Sequence, residues 1–249
     1  MKKSILMLSA LCMLIVASCK KDKTDDKVAD CLLTESTYTG EDGHTRNSIF
    51  TYNTEGKVIK VKGGEGGPND DLEVTYTYSN SKIIEVQTQH GQSFTITYTL
   101  DGQGRIVHQT NEQGYVDTYI YNAEGYLVEI QGYNADATAA YNSKYSYTNG
   151  NLTSINSGNS YTINYIYGAE LANDNFVNEE EFPFDSVLRK FFGKTSKNLV
   201  SKLVESSSSG NPFEETYTYE KDANGNITKV SALSNDGDSY ALVSKYTCK

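Results

Sequence analysis

The chain has 249 residues, a formal net charge of −10, 20 tyrosines and no tryptophan. An acidic balance of this size disfavours binding to nucleic acid or to a surface of anionic lipids. The length predicts a single domain with a substantial core, and the modest apolar content predicts that tyrosine rings fill much of that core.

Residues 1–18 have the pattern of a secretory signal, in which a positively charged start precedes the apolar run Ile5–Val16. That run is too short to span a bilayer as a stable helix. The sequence Val16–Cys19 resembles a lipobox, the motif of small residues before a cysteine that is acylated and becomes the mature N-terminus. It predicts lipidation of Cys19. The alternative is an ordinary signal peptide that contains a cysteine by chance.

The polar segment 19–29 follows the signal and predicts a flexible, lipidated tether. Its first residues, Cys19–Asp22, are similar to the charged export signals of surface lipoproteins in some Gram-negative bacteria, although Lys23 interrupts the acidic part. They predict a protein anchored by lipid in the outer membrane and facing the cell surface. A position facing the periplasm is the alternative. Loss of the signal, with its two lysines, would bring the net charge to about −12.

Residues 30–249 are predicted to form one domain, because a short repeat runs through them. A copy has a tyrosine-bearing stretch, a core of Asn or Asp with Gly, and a following apolar residue, and neighbouring copies are roughly 20 to 26 residues apart. The copies are Tyr52–Val58, Tyr76–Ile83 (without the glycine), Tyr98–Ile106, Tyr119–Leu127, Tyr145–Leu152 and Tyr217–Ile227. We interpret each copy as one β-hairpin, since tyrosine favours strands and Asn or Asp with glycine favours tight turns.

The alternation of apolar and polar residues within these stretches indicates strands with one buried face and one solvent-exposed face. In Phe94–Leu100 apolar residues occupy every second position and threonines occupy the others. Six or seven hairpins in series predict an all-β fold, an antiparallel meander of about 12–15 strands. We expect it to curve into a barrel or half-barrel, which protects the edges of so long a sheet. The predicted strands, of about five to eight residues, are shorter than those of a lipid-spanning barrel. This length indicates a soluble β-domain attached through its tether, and not a pore.

One segment breaks the repeat and predicts a short helix near residues 184–192, with Gly193 as its expected end. Four apolar side chains would share one face of this helix. They are Val187, Leu188, Phe191 and Phe192. We expect the helix to plug or cap the sheet with its two phenylalanines.

Two cysteines remain once Cys12 has left with the signal and Cys19 carries lipid. They are Cys31 and Cys248, near the first and last strands of the domain. An oxidising envelope favours a disulfide between them, worth roughly 5 kcal/mol on the chain-entropy model for so long a loop. Such a bond fits barrel closure, which makes the first and last strands neighbours. Two unpaired thiols near the termini are the alternative.

Two resemblances follow from these motifs. The repeated Tyr, Asn/Asp and Gly unit resembles the YD repeats of Rhs-type and teneurin-like shells. The segment Phe191–Leu199, the closing hairpin Tyr217–Ile227 and the lipobox resemble uncharacterised bacterial envelope lipoproteins, a domain of unknown function with a porin-like fold. The second resemblance covers nearly all of the mature chain and implies a curved, barrel-like β-fold. It implies no activity and no functional residues.

Motifs for catalysis and cofactors are missing from the sequence, so we expect no catalytic residues and no cofactor. No histidine has a partner at metal-ligand spacing, and neither a nucleophile elbow nor a dinucleotide fingerprint occurs. Asp222, Asn224 and Asn226 place oxygen atoms at alternate positions, as half of a calcium loop does, but the distal glutamate is missing. They are a weak calcium candidate. Their alternative role is a copy of the hairpin turn.

These observations predict a lipid-anchored cell-envelope protein that is not an enzyme and binds an unknown ligand, glycan or protein partner. The alternative is a structural or assembly component of an envelope complex, and an envelope hydrolase ranks third. A concave pocket of tyrosines and carboxylates would favour the binding module, whereas a flat exposed apolar patch would favour the assembly component. Two carboxylates that face each other in a cleft would favour the hydrolase.

Overall fold

A computed structural model describes residues 31–64, 72–158, 161–172, 186–207 and 210–248 of the protein. Those residues contain sixteen β-strands and a 3₁₀ helix, Ser186–Phe191. The strands are β1 (Cys31–Thr39), β2 (Thr45–Tyr52), β3 (Val58–Gly64), β4 (Leu72–Tyr78), β5 (Lys82–Gln89), β6 (Gln92–Leu100), β7 (Ile106–Asn111), β8 (Val116–Tyr121), β9 (Leu127–Tyr133), β10 (Ala139–Thr148), β11 (Asn151–Asn156), β12 (Tyr161–Leu171), β13 (Asn198–Ser207), β14 (Phe213–Lys221), β15 (Ile227–Ser234) and β16 (Ser239–Cys248).

The strands form a closed barrel in which every strand pairs with its sequence neighbours and β1 pairs with β16. This confirms the predicted all-β antiparallel meander and selects the closed barrel over the half-barrel. The count of sixteen exceeds the predicted 12–15, because β12 and β13 are joined by a long segment without the repeat signal. The strands are six to eleven residues long rather than five to eight, so strand length alone does not separate this barrel from a membrane-spanning one.

Alternation along each strand sorts the side chains between a packed interior and a polar exterior. In β6, Ile96 and Tyr98 are buried, while Thr95, Thr97 and Thr99, which alternate with them, lie on the outer face. The first tyrosine of the repeat is buried in most copies, at Tyr76, Tyr98, Tyr119, Tyr145 and Tyr217. These rings join Ile, Leu and Val side chains in one cluster inside the barrel, as expected for a core with few other large apolar residues.

A tyrosine near the end of several even-numbered strands has a second role. Its hydroxyl donates a hydrogen bond to a backbone carbonyl near the start of the preceding strand. The bonds run from Tyr52 to Leu33 (2.6 Å), Tyr78 to Val58 (2.7 Å), Tyr121 to Ile106 (2.7 Å), Tyr167 to Leu152 (2.6 Å), Tyr219 to Val200 (2.7 Å) and Tyr246 to Ile227 (3.0 Å). Burial raises the pKa of Tyr52 and of Tyr246 to about 12, so both hydroxyls remain donors at neutral pH.

The hairpin turns that follow the even-numbered strands have the predicted chemistry. In four of them the Asn or Asp side chain accepts hydrogen bonds from the backbone N–H groups two and four residues later, and the glycine has positive φ. These are the turns of Asn53, Asp101, Asn122 and Asp222. Because strand direction alternates, all four lie at one end of the barrel, together with Cys31 and Cys248. We call this the closed end.

The 3₁₀ helix blocks the lumen at the closed end, as predicted from its phenylalanines. Leu188 is fully buried and Phe192 is 2% exposed. The Phe191 ring lies 5.9 Å from that of Tyr78 on β4, and the Phe192 ring lies 5.2 Å from that of Tyr119 on β8. Since β4 lies eight strands from β12 around the barrel, Phe191 lies across the lumen from the strand that precedes the helix. Residues 184 and 185 of the predicted helix lie outside the described residues.

After the helix the chain returns across the closed-end turns as a strap, residues 193–197. The N–H of Lys194 donates to the Gly125 carbonyl and that of Lys197 to the Gly150 carbonyl, each at 3.0 Å. Gly193 has φ +82°, and a Cβ there would lie 2.5 Å from the Gly125 oxygen. The tight contact explains why glycine follows the two phenylalanines in this segment.

A disulfide bond joins Cys31 and Cys248, which face each other in the β1–β16 register. The same seam carries an ion pair between Lys245 and Glu35 at 2.9 Å. The disulfide therefore lies across the one strand pair of the barrel whose members are distant in sequence.

Candidate ligand cavity at the open end

The opposite end of the barrel, which carries the turns 40–44, 90–91, 112–115, 134–138 and 235–238, contains a cavity of about 630 Å³. We call it the open end. Its lining comes from the first hairpin and the last three strands, and consists of Tyr38, Gly40, Glu41, Asp42, His44, Arg46, Phe213, Glu215, Ser234, Asp238, Ser239 and Tyr240. The volume falls within the roughly 300–1,000 Å³ of small-molecule sites.

An aromatic pair forms part of the cavity wall. Tyr38 on β1 and Tyr240 on β16 have ring centroids 5.3 Å apart and planes inclined by 32°. Barrel closure brings these rings together, because Tyr38 lies opposite Leu242 in the register and Tyr240 is two residues away on the same inner face. Phe213 of β14 adds a third, exposed ring. The wall therefore offers flat apolar surface for a ligand.

Carboxylates surround the mouth of the cavity. Glu41 follows β1 and Asp238 precedes β16, and both are exposed. A hydrogen bond to Asp238 raises the pKa of Glu41, and the negative charges of Asp238, Asp236 and Asp42 raise it further.

One carboxylate of the barrel interior, that of Glu215, also lines the cavity. Glu215 is 8% exposed and accepts a hydrogen bond from the Tyr217 hydroxyl. The same tyrosine–carboxylate pairing recurs elsewhere inside the barrel. There Tyr98 donates to the buried Glu85 at 2.8 Å. Such bonds offset the cost of placing carboxylates in the interior.

The weak calcium candidate lies at the closed end, far from this cavity. Both carboxylate oxygens of Asp222 accept N–H donors, one from the backbone of Asn224 and Asn226 and the other from the Asn226 amide at 2.9 Å. Asp222 and its neighbours thus hold the β14–β15 turn through N–H donors. No group of three or more His, Cys, Asp or Glu side chains suited to a metal ion occurs within the described part of the chain.

The other predicted site residues are placed differently. Cys19 and the tether 19–29 lie outside the described residues. Of the histidines, His44 is exposed and lines the cavity, whereas His90 occupies the β5–β6 turn and His108 lies on β7. Sequence reasoning missed the cavity itself. The sequence feature that could have predicted the cavity is a pair of acidic turns, Glu41–Gly43 and Asp236–Asp238. These turns become neighbours only when β1 pairs with β16.

Comparison with known proteins supports the fold. No family model matches the chain, and a search of curated proteins finds no match. The structure is similar to that of a porin-like protein from Bacteroides uniformis ATCC 8492, with a TM-score of 0.64 and 18% identity over 87% of this chain and 98% of that one. A porin-like protein from Bacteroides vulgatus ATCC 8482 matches with a TM-score of 0.38 and 13% identity over 88% and 99% of the two chains. The first likeness supports the porin-like barrel fold predicted by resemblance.

Proposed function

We propose that the chain is a lipid-anchored protein of the cell envelope, displayed at the cell surface, that binds a small ligand in its open-end cavity without catalysing a reaction. The observation that carries this proposal is the cavity: a concave site of aromatic rings and a few polar groups, in a barrel that is packed and blocked at its other end. Ligand sites typically combine these properties.

The outer surface of the barrel favours a domain that is held in water by its tether. It disfavours a barrel embedded in the bilayer. Ion pairs join neighbouring strands on the outer face, at Lys60–Glu73 (2.8 Å), Lys202–Glu214 (2.6 Å), Lys229–Glu220 (3.0 Å) and Lys245–Glu35 (2.9 Å). A membrane barrel instead presents an outward apolar band about 25 Å tall, and a Lys at its midplane costs about 2–4 kcal/mol. None of the described helical residues forms a segment with the length and hydropathy of a membrane-spanning helix.

The exterior also favours the ligand-binding module over the assembly component. The exposed aliphatic side chains of the described strands are spread around the barrel, at Ile49, Ile84, Ile120, Ile166, Leu171, Leu233 and Val243. Single exposed apolar residues are normal on monomeric proteins, whereas a docking surface requires a contiguous patch.

The paired carboxyl groups of Glu41 and Asp238 do not favour a glycoside hydrolase. They share a hydrogen bond, whereas the two carboxylates of such enzymes are about 5–9.5 Å apart to leave room for the scissile bond or a water molecule. Both side chains are also exposed on turns, where water screens their charges.

Ligand binding is tested by titrating the purified mature chain with a library of amines, carboxylic acids, sugars and short peptides, followed by NMR. We expect saturable binding by at least one class, with shifts confined to open-end residues. Gly40→Trp at the cavity rim should weaken that binding by about tenfold or more, since a Cβ at this position lies 3.5 Å from the Tyr38 ring and directs the indole into the mouth. Thr110→Trp on the outer face of β7 is the matched control and should leave the affinity unchanged. Failure of all four classes to bind, or equal affinity in the two variants, would contradict the proposal.

A further inference from the structure

The charge of the cavity lining narrows the class of ligand. Its carboxylates outnumber its cations, since four carboxylates accompany one arginine and one histidine. The carboxylates are Glu41, Asp42, Glu215 and Asp238, and the arginine is Arg46. Counting Asp, Glu, Lys and Arg, the described lining residues have a formal charge of −3. A concave surface with charge of one sign attracts ions of the opposite sign. The cavity therefore disfavours anions and favours a cation.

The arrangement of the carboxylates points the same way. Glu41 and Asp238 come from turns on opposite sides of the β1–β16 seam, so closure of the barrel holds them together at the mouth. Asp42 and Asp236 add negative charge beside them. The hydrogen bond to Asp238 raises the pKa of Glu41, and the charges of Asp238, Asp236 and Asp42 raise it further. A cation at the mouth would favour the ionised form of each carboxylate.

Size and wall chemistry distinguish an organic cation from a metal ion. About 630 Å³ is far more than the roughly 30 Å³ that one water molecule occupies. Among the described residues, no three His, Cys, Asp or Glu side chains form a group suited to a metal. The Tyr38 and Tyr240 rings instead supply π faces, to which organic cations bind well.

We infer that the ligand is a small organic cation, an amine or a quaternary ammonium, whose charge lies between the mouth carboxylates and whose apolar body lies on Tyr38 and Tyr240. This inference rests on the proposed function. The inference adds a charge and a shape for the ligand of the same cavity.

The test compares three probes with one ring and different charges: benzylamine, benzyl alcohol and benzoate. Each is titrated into the mature chain at low salt and observed by NMR. We expect benzylamine to bind about tenfold more tightly than benzyl alcohol, benzoate not to saturate, and added salt to weaken benzylamine alone. The double variant Glu41→Gln/Asp238→Asn should remove most of the preference. Glu124→Gln, an exposed change on a closed-end turn, should preserve it.

The outcomes separate the two proposals. Equal binding of all three probes at the open end, or a preference that survives Glu41→Gln/Asp238→Asn, would overturn the cation inference and leave the cavity as a binding site. Tighter binding of a neutral sugar from the wider library would do the same. Binding of benzylamine with shifts at the closed end or the outer face would overturn the inference as well, because the charge preference would then belong to another surface.

Discussion

Replacement of both disulfide cysteines, as Cys31→Ser/Cys248→Ser, lowers the free energy of unfolding by about 5 kcal/mol. The bond joins residues 217 positions apart, so its loss frees almost the entire domain in the unfolded state. It also lies on the β1–β16 seam, the barrel's one pairing between strands distant in sequence, where loop-closure entropy is largest. Urea denaturation of the wild type and the double variant measures the difference.

The control for this prediction is the ion pair on the same seam. Lys245→Ala removes an exposed contact with Glu35 and should cost less than about 1 kcal/mol. If the double variant also loses less than 1 kcal/mol, the bond does not hold the seam. Two alkylatable thiols in the unreduced, unfolded chain would show that it does not form.

Phe192→Ala is expected to cost about 3–5 kcal/mol, the usual effect of truncating a buried phenylalanine. The side chain is 2% exposed and contacts Tyr119 inside the barrel, so its removal leaves a cavity between the helix and the lumen wall. Lys190→Ala is a matched change on the exposed side of the same helix and should stay within about 0.5 kcal/mol. Thermal or urea unfolding of the two variants compares them. Equal stabilities would show that the helix does not pack in the lumen.

Local signals predicted much of the barrel. The alternation in Phe94–Leu100 and the turn residues of Asn122 act within one hairpin, so sequence alone reveals them. The apolar face around Phe191 and Phe192 likewise predicted the plugging helix. Strand number was underestimated where the repeat is interrupted, between β12 and β13.

The candidate site could not be predicted in the same way. Tyr38, Glu215 and Tyr240 are far apart in sequence, and their proximity depends on closure of the sheet rather than on any local pattern. The prediction of a Cys31–Cys248 bond already placed the first and last hairpins side by side. That placement brings the acidic turns at Glu41 and Asp238 together, which was the available sequence signal for the cavity.

The proposed position of the barrel in water depends on the division between a packed, tyrosine-rich interior and a water-facing exterior. Vesicle flotation of the mature chain with Cys19→Ala, which removes the proposed lipid anchor, tests this division directly. We predict that the folded barrel stays in the aqueous fraction without detergent, with its outer ion pairs in water. A barrel that floats with the vesicles, and whose Ile84 and Ile166 signals are quenched by spin-labelled lipid, would contradict the account.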